Sequence, residues 1–189
     1  SLLIGLTLGL VSGYYGGRVD LFIQWLINVF WSIPTLLLVI SISIALGAGF
    51  WQVFIAIGLT MWVEVARVTR GEVLKLRELA YIKAIKSIGF NDYKIIVKHI
   101  LPNILNPIIV ISTANFATAI LLEAGLSFLG LGIQPPVPSW GMMIKNHYLY
   151  ILIDDPYLAI LPGFCIVILV LSFMSLGNVL RDVKDVKLR

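Results

Sequence analysis

Long apolar runs, separated by a few polar stations, set the pattern of this chain. Ser1 to Gly17 carries no charged side chain, Leu21 to Val63 carries none over 43 residues, Ile104 to Leu122 carries none, and Tyr157 to Leu180 is a last uncharged run. A helix rises about 1.5 Å per residue and a bilayer core is about 30 Å thick, so runs of this length read as membrane-spanning helices. Forty-three uncharged residues amount to roughly two such thicknesses, so Leu21 to Val63 must reverse, and Gly47-Ala48-Gly49 is the expected turn. Pro34 should kink the first arm, or separate from it an interfacial segment that carries Gln24, Trp25, Asn28 and Trp31. The second arm starts near Phe50 and runs on into charged sequence. The reading is of five crossings, with Ser1 to Gly17 slightly short for a span and Ser1 an internal start, so that sequence upstream is expected.

The stretch from Glu64 to Asn103 is the one long charged passage and holds eight of the fourteen Lys and Arg residues. Its basic bias places it in the cytoplasm, with the loop spanning about 70–100, and the basic tail 181–189 falls on the same side after two further crossings. Within the loop Leu79, Ile82, Ile85 and Ile88 recur every three residues while Glu78, Lys83 and Lys86 point elsewhere, which predicts a short amphipathic helix. Gly89 should end it in a left-handed conformation, and Asn91 or Asp92 should cap a second helix from Tyr93 to His99. A solvated connector that only touches lipid headgroups is the plainer reading, but it has no need of an apolar stripe.

Two other stretches carry information. Gly5, Gly9, Gly13 and Gly17 fall in register on one helix face, a repeated small-xxx-small stripe that lets another helix approach closely in lipid. Asn115 and Thr118 sit deep in the fourth span, where polar groups face protein or water, so they and Glu123 at its outer end are the candidates for a translocation pathway. Glu123 reads equally as a gate or anchor and as an interfacial residue in reach of water. Gly125 to Trp140 holds too many glycines and prolines for one helix, so an irregular extracytoplasmic segment is expected over about 131–155.

Composition agrees with a membrane protein: 59% hydrophobic and only 13% charged residues, with a mean hydropathy of +0.98, lie far from a soluble domain. The net charge of +4 follows from the basic loops, and these lack the interleaved aromatics of a base-stacking surface, so no nucleic-acid partner is expected. The single Cys165 excludes an internal disulfide and reads as a packing residue. His99 and His147 fall on opposite sides of the membrane and cannot share a metal, so no metal site is expected. No phosphate-binding Gly-rich loop, no Gly-x-Ser-x-Gly and no His-Glu-x-x-His occurs, so the chain should be no enzyme and need no cofactor of its own.

The cytoplasmic loop resembles the signature of permease subunits of bacterial binding-protein-dependent ABC importers, in which Glu-Ala-Ala, three residues, Gly and a later Leu-Pro recur. Here those positions read Lys83-Ala84-Ile85, then Gly89, then Leu101-Pro102, with His99 where an Ile is usual. Glu123 to Gly141 (EAGLSFLGLGIQPPVPSWG), Leu176 to Asp182 (LGNVLRD) and the Gly-Tyr-Tyr-Gly-Gly turn before Arg18 resemble the dipeptide, oligopeptide and nickel subgroup more narrowly, although the tail reads Lys184-Asp185-Val186-Lys187 where that subgroup has Leu-Asp-Pro-Arg. The match covers essentially the whole chain.

The resemblance implies an all-α integral membrane fold: a polytopic helical bundle of the importer-permease type, one transmembrane domain over 1–189, with five transmembrane helices here, short cytoplasmic coupling helices, and one more amino-terminal helix before Ser1. It implies half of a translocation pathway for peptides or a related small solute, a nickel complex included. The implied partners are a second homologous permease, two cytoplasmic ABC ATPases that hydrolyse ATP, an extracytoplasmic solute-binding protein and the lipid of a bacterial inner membrane. Glu78, Ala80, Lys83, Ala84, Ile85, Gly89, Leu101 and Pro102 would couple to the ATPases. A secondary transporter or channel without an ATPase is the alternative, but it predicts paired ionisable residues or broken helices near mid-bilayer.

Overall fold

The computed structural model describes residues 1–47, 49–152 and 155–185. Ala48 of the expected turn, residues 153–154 of the segment 131–155 and residues 186–189 of the tail lie outside the described residues. The described residues form ten α-helices, and no strand occurs among them.

Five apolar segments are present, as the hydrophobic runs predict, but they differ in kind. Three helical stretches are long and apolar enough to cross a bilayer: Phe50–Arg77, Asp92–Leu129 and Tyr157–Asp182. A fourth is the broken pair α2 (Gly17–Trp31) and α3 (Thr35–Leu46), interrupted just before and at Pro34, where the ring removes a backbone donor. The fifth, α1 (Leu2–Tyr15), is apolar throughout but only 14 residues long. Five spans are therefore reached only by counting the broken pair as one and α1 as another.

The chain divides into two compact units, Ser1–Ser32 with Met61–Ser112 and the end from Gly177, and Ile33–Thr60 with Thr113–Leu176. In the first, α1 lies along α5 (Trp62–Arg77), and glycines make the contact. A β-carbon added at Gly5 would fall 2.5 Å from the Trp62 carbonyl oxygen and from Val65 Cβ; at Gly9, 2.5 Å from Thr69 Cβ; at Gly13, 2.7 Å from Val73 Cβ. The repeat of four on α1 thus meets a repeat of four on α5, backbone against backbone, which only residues without side chains permit. Gly17 departs from this face: its added β-carbon would meet nothing within 4 Å. It belongs instead to the turn into α2, where Gly16 and Gly17 both have positive φ (66° and 54°). α2 returns against α5 through Ile23 and Ile27, which pack on Trp62, Val63 and Ala66.

The charged passage does not open as a loop. α5 continues to Arg77, so irregular backbone is confined to the residues around Glu78 and around Gly89; α6 (Ala80–Ser87) lies between them, and α7 (Asp92–Ile95) runs through a π-helical turn, Ile96–Ile100, into α8 (Leu101–Leu129). In the second unit α3 and α4 (Phe50–Thr60) form a hairpin, with Gly47 at φ 87° where the chain turns. The segment after α8 is less irregular than its glycines and prolines predict, because α8 reaches Leu129 and Trp140–His147 forms α9, capped by the Ser139 hydroxyl accepting from the Met142 amide. α10 (Tyr157–Asp185) carries many exposed apolar side chains, among them Phe164 and Leu171, and Cys165 is exposed rather than packed.

Candidate functional site

Two places in the chain combine polar chemistry with shape, one in each unit. The first surrounds α6. The three-residue stripe divides on folding: Ile82 is 2% exposed and Ile85 half-buried, both against Leu10, Tyr14 and Val73, whereas Leu79 is 44% and Ile88 77% exposed. The reason is rotational. At about 100° per residue, the nine steps from Leu79 to Ile88 turn them to opposite sides of the helix, and both lie beyond the ends of α6. The expectation that the stripe forms one apolar face of a short helix is therefore corrected: its middle is covered by this chain's own α1 and α5, and its ends face outward with Tyr81, Phe90 and Tyr93.

Polar contacts hold this corner. Asn91 caps α7 by accepting from the Tyr93 amide at 3.0 Å, which leaves the neighbouring Asp92 carboxylate to accept from the Tyr14 hydroxyl at 2.6 Å. The Tyr14 ring lies 5.5 Å from Lys86 Nζ. Arg77 donates to the carbonyls of Gly13 and Tyr14 at 3.2 Å each, satisfying acceptors that the end of α1 would otherwise leave free. Two turns earlier, Arg70 grips Asp20 with Nε and Nη2, both at 2.6 Å, and the buried Ser12 hydroxyl donates to the same carboxylate. This is a bidentate, charge-assisted arrangement that ties α1, α2 and α5 together.

The residues matched to the coupling signature lie along this corner. Glu78 accepts from Lys83 at 2.8 Å, and that hydrogen bond is the main reason its carboxyl is held below the ordinary range. Ala80 and Ala84 are exposed on α6, and Gly89 takes φ 88° between α6 and α7. Leu101 packs against the Ile82 cluster, and Pro102 occupies the start of α8, exposed. Tyr14, Asp20, Arg70 and Arg77 are the residues that sequence reasoning passed over. The available signal was that Asp20 and Arg70 are charges set within or beside apolar helices, where an unpaired charge is costly.

The second place is a cavity of ≈ 500 Å³ in the other unit. Its walls come from α4 (Phe54, Ile57), α8 (Phe116, Ala119, Ile120), α10 (Leu169) and the 133–143 stretch, which includes Trp140 and Met143. Glu123 and Ser139 supply the polar side chains. Glu123 accepts from the buried Ser127 hydroxyl at 2.7 Å, and the same Ser127 oxygen accepts from the Ile133 amide at 3.1 Å. Gly132 lies directly on Ser127 and Gly141 directly on the Ala124 backbone, so the loop closes on α8 at points with no room for a side chain. Of the three pathway candidates only Glu123 lines the cavity; Asn115 is buried elsewhere on α8, and Thr118 is exposed with its hydroxyl donated to the Ala114 carbonyl. No group of three metal-ligating side chains occurs among the described residues.

Apolar helices of spanning length, a close-packed glycine face and a polar corner built on a short amphipathic helix define a multi-pass α-helical membrane protein. The chain belongs to the family of binding-protein-dependent transport system inner membrane components, whose model matches residues 5–188. It is similar to the dipeptide transport system permease protein DppC of Alkalihalophilus pseudofirmus (41% identical, over all of this chain and 62% of that protein). It is also similar to the glutathione transport system permease protein GsiD of Pectobacterium atrosepticum (39%, all of this chain, 62% of that protein) and to the oligopeptide transport system permease protein OppC of Bacillus subtilis (38%, all of this chain, 61% of that protein). The chain spans about three-fifths of the length of these relatives.

Proposed function

We propose that this chain is the permease subunit of an ATP-driven importer of a bacterial inner membrane, forming half of the pathway for a peptide or a related small solute. Its partners on this reading are a second permease, two cytoplasmic ATPases that hydrolyse the ATP, and an extracytoplasmic solute-binding protein. The chain itself makes and breaks no bonds. The loop around α6 and the tail lie in the cytoplasm, and the 131–155 segment lies outside.

The observation that carries this reading is the construction of the α6 corner. Ile82 and the Tyr14–Asp92 bond fasten α6 and α7 to α1 and α5, while Leu79, Tyr81, Ile88, Phe90 and Tyr93 stay exposed beside Lys83 and Lys86. An element anchored on its inner side and apolar on its outer side is suited to receive force from a soluble partner and pass it to the helices behind it. Glu78, Ala80, Lys83, Ala84, Ile85, Gly89, Leu101 and Pro102 are then the coupling surface and its supports.

The test is purification of the tagged protein with its associated subunits and measurement of ATP hydrolysis and solute uptake in vesicles. An ATPase should copurify. Gly89→Val, at φ 88°, costs about 1 kcal/mol or more of backbone strain and should leave the spans inserted while hydrolysis no longer tracks uptake. Purification without any ATPase, or wild-type coupling in Gly89→Val, contradicts the reading.

A further inference from the structure

The cavity beside Glu123 has a composition that selects for charge. Three aromatic rings, Phe54, Phe116 and Trp140, and the aliphatic Ile57, Ile120, Ile133 and Leu169 line it, so a ligand inside meets mostly apolar wall. Into this apolar wall the chain sets one carboxylate. Among the described residues no cation pairs with Glu123; its recorded partner is Ser127, which donates to Oε1. Ser127 is itself fixed by the Ile133 amide, so the carboxylate is oriented through Oε1 by a buried hydroxyl, and among the described residues no cation pairs with its other oxygen.

The contrast with Asp20, another carboxylate set among apolar helices, is informative. Asp20 receives two bonds from Arg70 and one from Ser12, so its charge is already paired. Glu123 is held by a neutral hydroxyl only, in a cavity whose remaining polar side chain, Ser139, is already engaged in capping α9. A carboxylate with aromatic faces around it favours a cation, and the hydrogen-bonding capacity of the carboxylate favours a primary ammonium over a quaternary one. The apolar remainder of the wall favours an uncharged, hydrophobic body next to that ammonium.

We propose that this cavity is a binding subsite for the ammonium end of an amine with an apolar body, with Glu123 pairing the ammonium and Phe54, Phe116, Trp140 and Ile120 enclosing the rest. It rests on the permease reading in that the amine would be part of a transported solute, but binding at the cavity can be measured without transport.

The experiment uses the full-length protein in lipid nanodiscs with whatever subunits copurify, without nucleotide, and two probes: leucyl-leucine amide, a cation, and its N-acetylated form, a neutral molecule of nearly the same shape. Wild-type protein should bind the amine at least about tenfold more tightly than the acetylated probe, as expected for one charge-assisted hydrogen bond. Glu123→Gln, checked for wild-type assembly by size exclusion, should bring the two probes to within about threefold of each other. Glu123→Asp, which keeps the charge, should retain the preference and so guards against a merely structural loss. Equal binding of the two probes by wild-type protein, an undiminished preference in Glu123→Gln, or no binding of either probe, as when a neighbouring subunit's side chain fills the cavity, overturns the proposal. Copurification of an ATPase stands or falls independently of these outcomes.

Discussion

The α1–α5 corner and the cavity beside α8 are built from the same apolar vocabulary and end as opposites. At the corner, Gly5, Gly9 and Gly13 bring two backbones together until no β-carbon fits, and the carboxylate set there, Asp20, is engaged at both oxygens by Arg70 and by Ser12. At the cavity, the glycines close the loop onto α8 at Ser127 and Ala124, while Phe54, Phe116 and Trp140 line open volume beside Glu123. Removing side chains lets helices close; bulky side chains that do not interdigitate leave a void. The first solution gives a close-packed unit, and the second leaves open volume.

The sharpest way to break the comparison is to force a side chain into the corner. In Gly9→Leu the new β-carbon would fall 2.5 Å from Thr69 Cβ and 2.6 Å from the Ala66 carbonyl, which should cost about 3 kcal/mol or more because backbone cannot yield as a side-chain tip can. The measurement is the yield of folded, monodisperse protein in detergent; a wild-type yield and melting temperature would mean that the helices separate without loss.

Next in size is Arg70→Ala. Asp20 and Arg70 are 17% and 27% exposed, so the loss should approach about 3 kcal/mol, the lower end for leaving a desolvated charge without its partner. A double mutant with Asp20→Asn should recover part of it, as seen by thermal melting; additive losses would show that the pair contributes nothing as a pair.

Tyr14→Phe removes only the hydroxyl that reaches Asp92 and keeps the ring in its cluster, so stability should fall by about 1–2 kcal/mol. If α7 is latched to α1 at this point, amide exchange should rise at Asp92 to Ile95 and not along α10. Uniformly unchanged exchange would locate the latch elsewhere.

The smallest effect belongs to the cavity. Ala119→Leu adds three carbons where Gly9→Leu adds four, but into open volume, and should change stability by no more than about 1 kcal/mol in either direction. A loss as large as that of Gly9→Leu would mean that the cavity is not available space.

Much of the architecture can be read from single residues. The uncharged runs, the break at Pro34, the turn before Phe50 and the stop at Gly89 are local matters of hydropathy and backbone freedom, and the chain states them directly. The mistakes began where periodicity had to stand in for contact. A stripe at every third residue looked like one face, yet it winds around the helix, and only Ile82 and Ile85 turn inward. The Gly-Pro-rich segment is irregular as expected over 130–139, but α8 runs on to Leu129 and Ser139 caps α9 from Trp140.

The sequence by itself determined that this is an α-helical membrane protein of the binding-protein-dependent family with a basic passage that turns at Gly89, because hydropathy, glycine and proline placement and signature spacing are properties of neighbouring residues. Only the tertiary structure decided which charge is architecture and which is available. Asp20 finds Arg70 fifty positions away, and Tyr14 finds Asp92 seventy-eight positions away. Glu123 is left with Ser127 because the walls around it bring hydrophobic groups and no cation. A charge's partner is a matter of distance in space, and distance in space is set by how helices pack rather than by the order of residues along them.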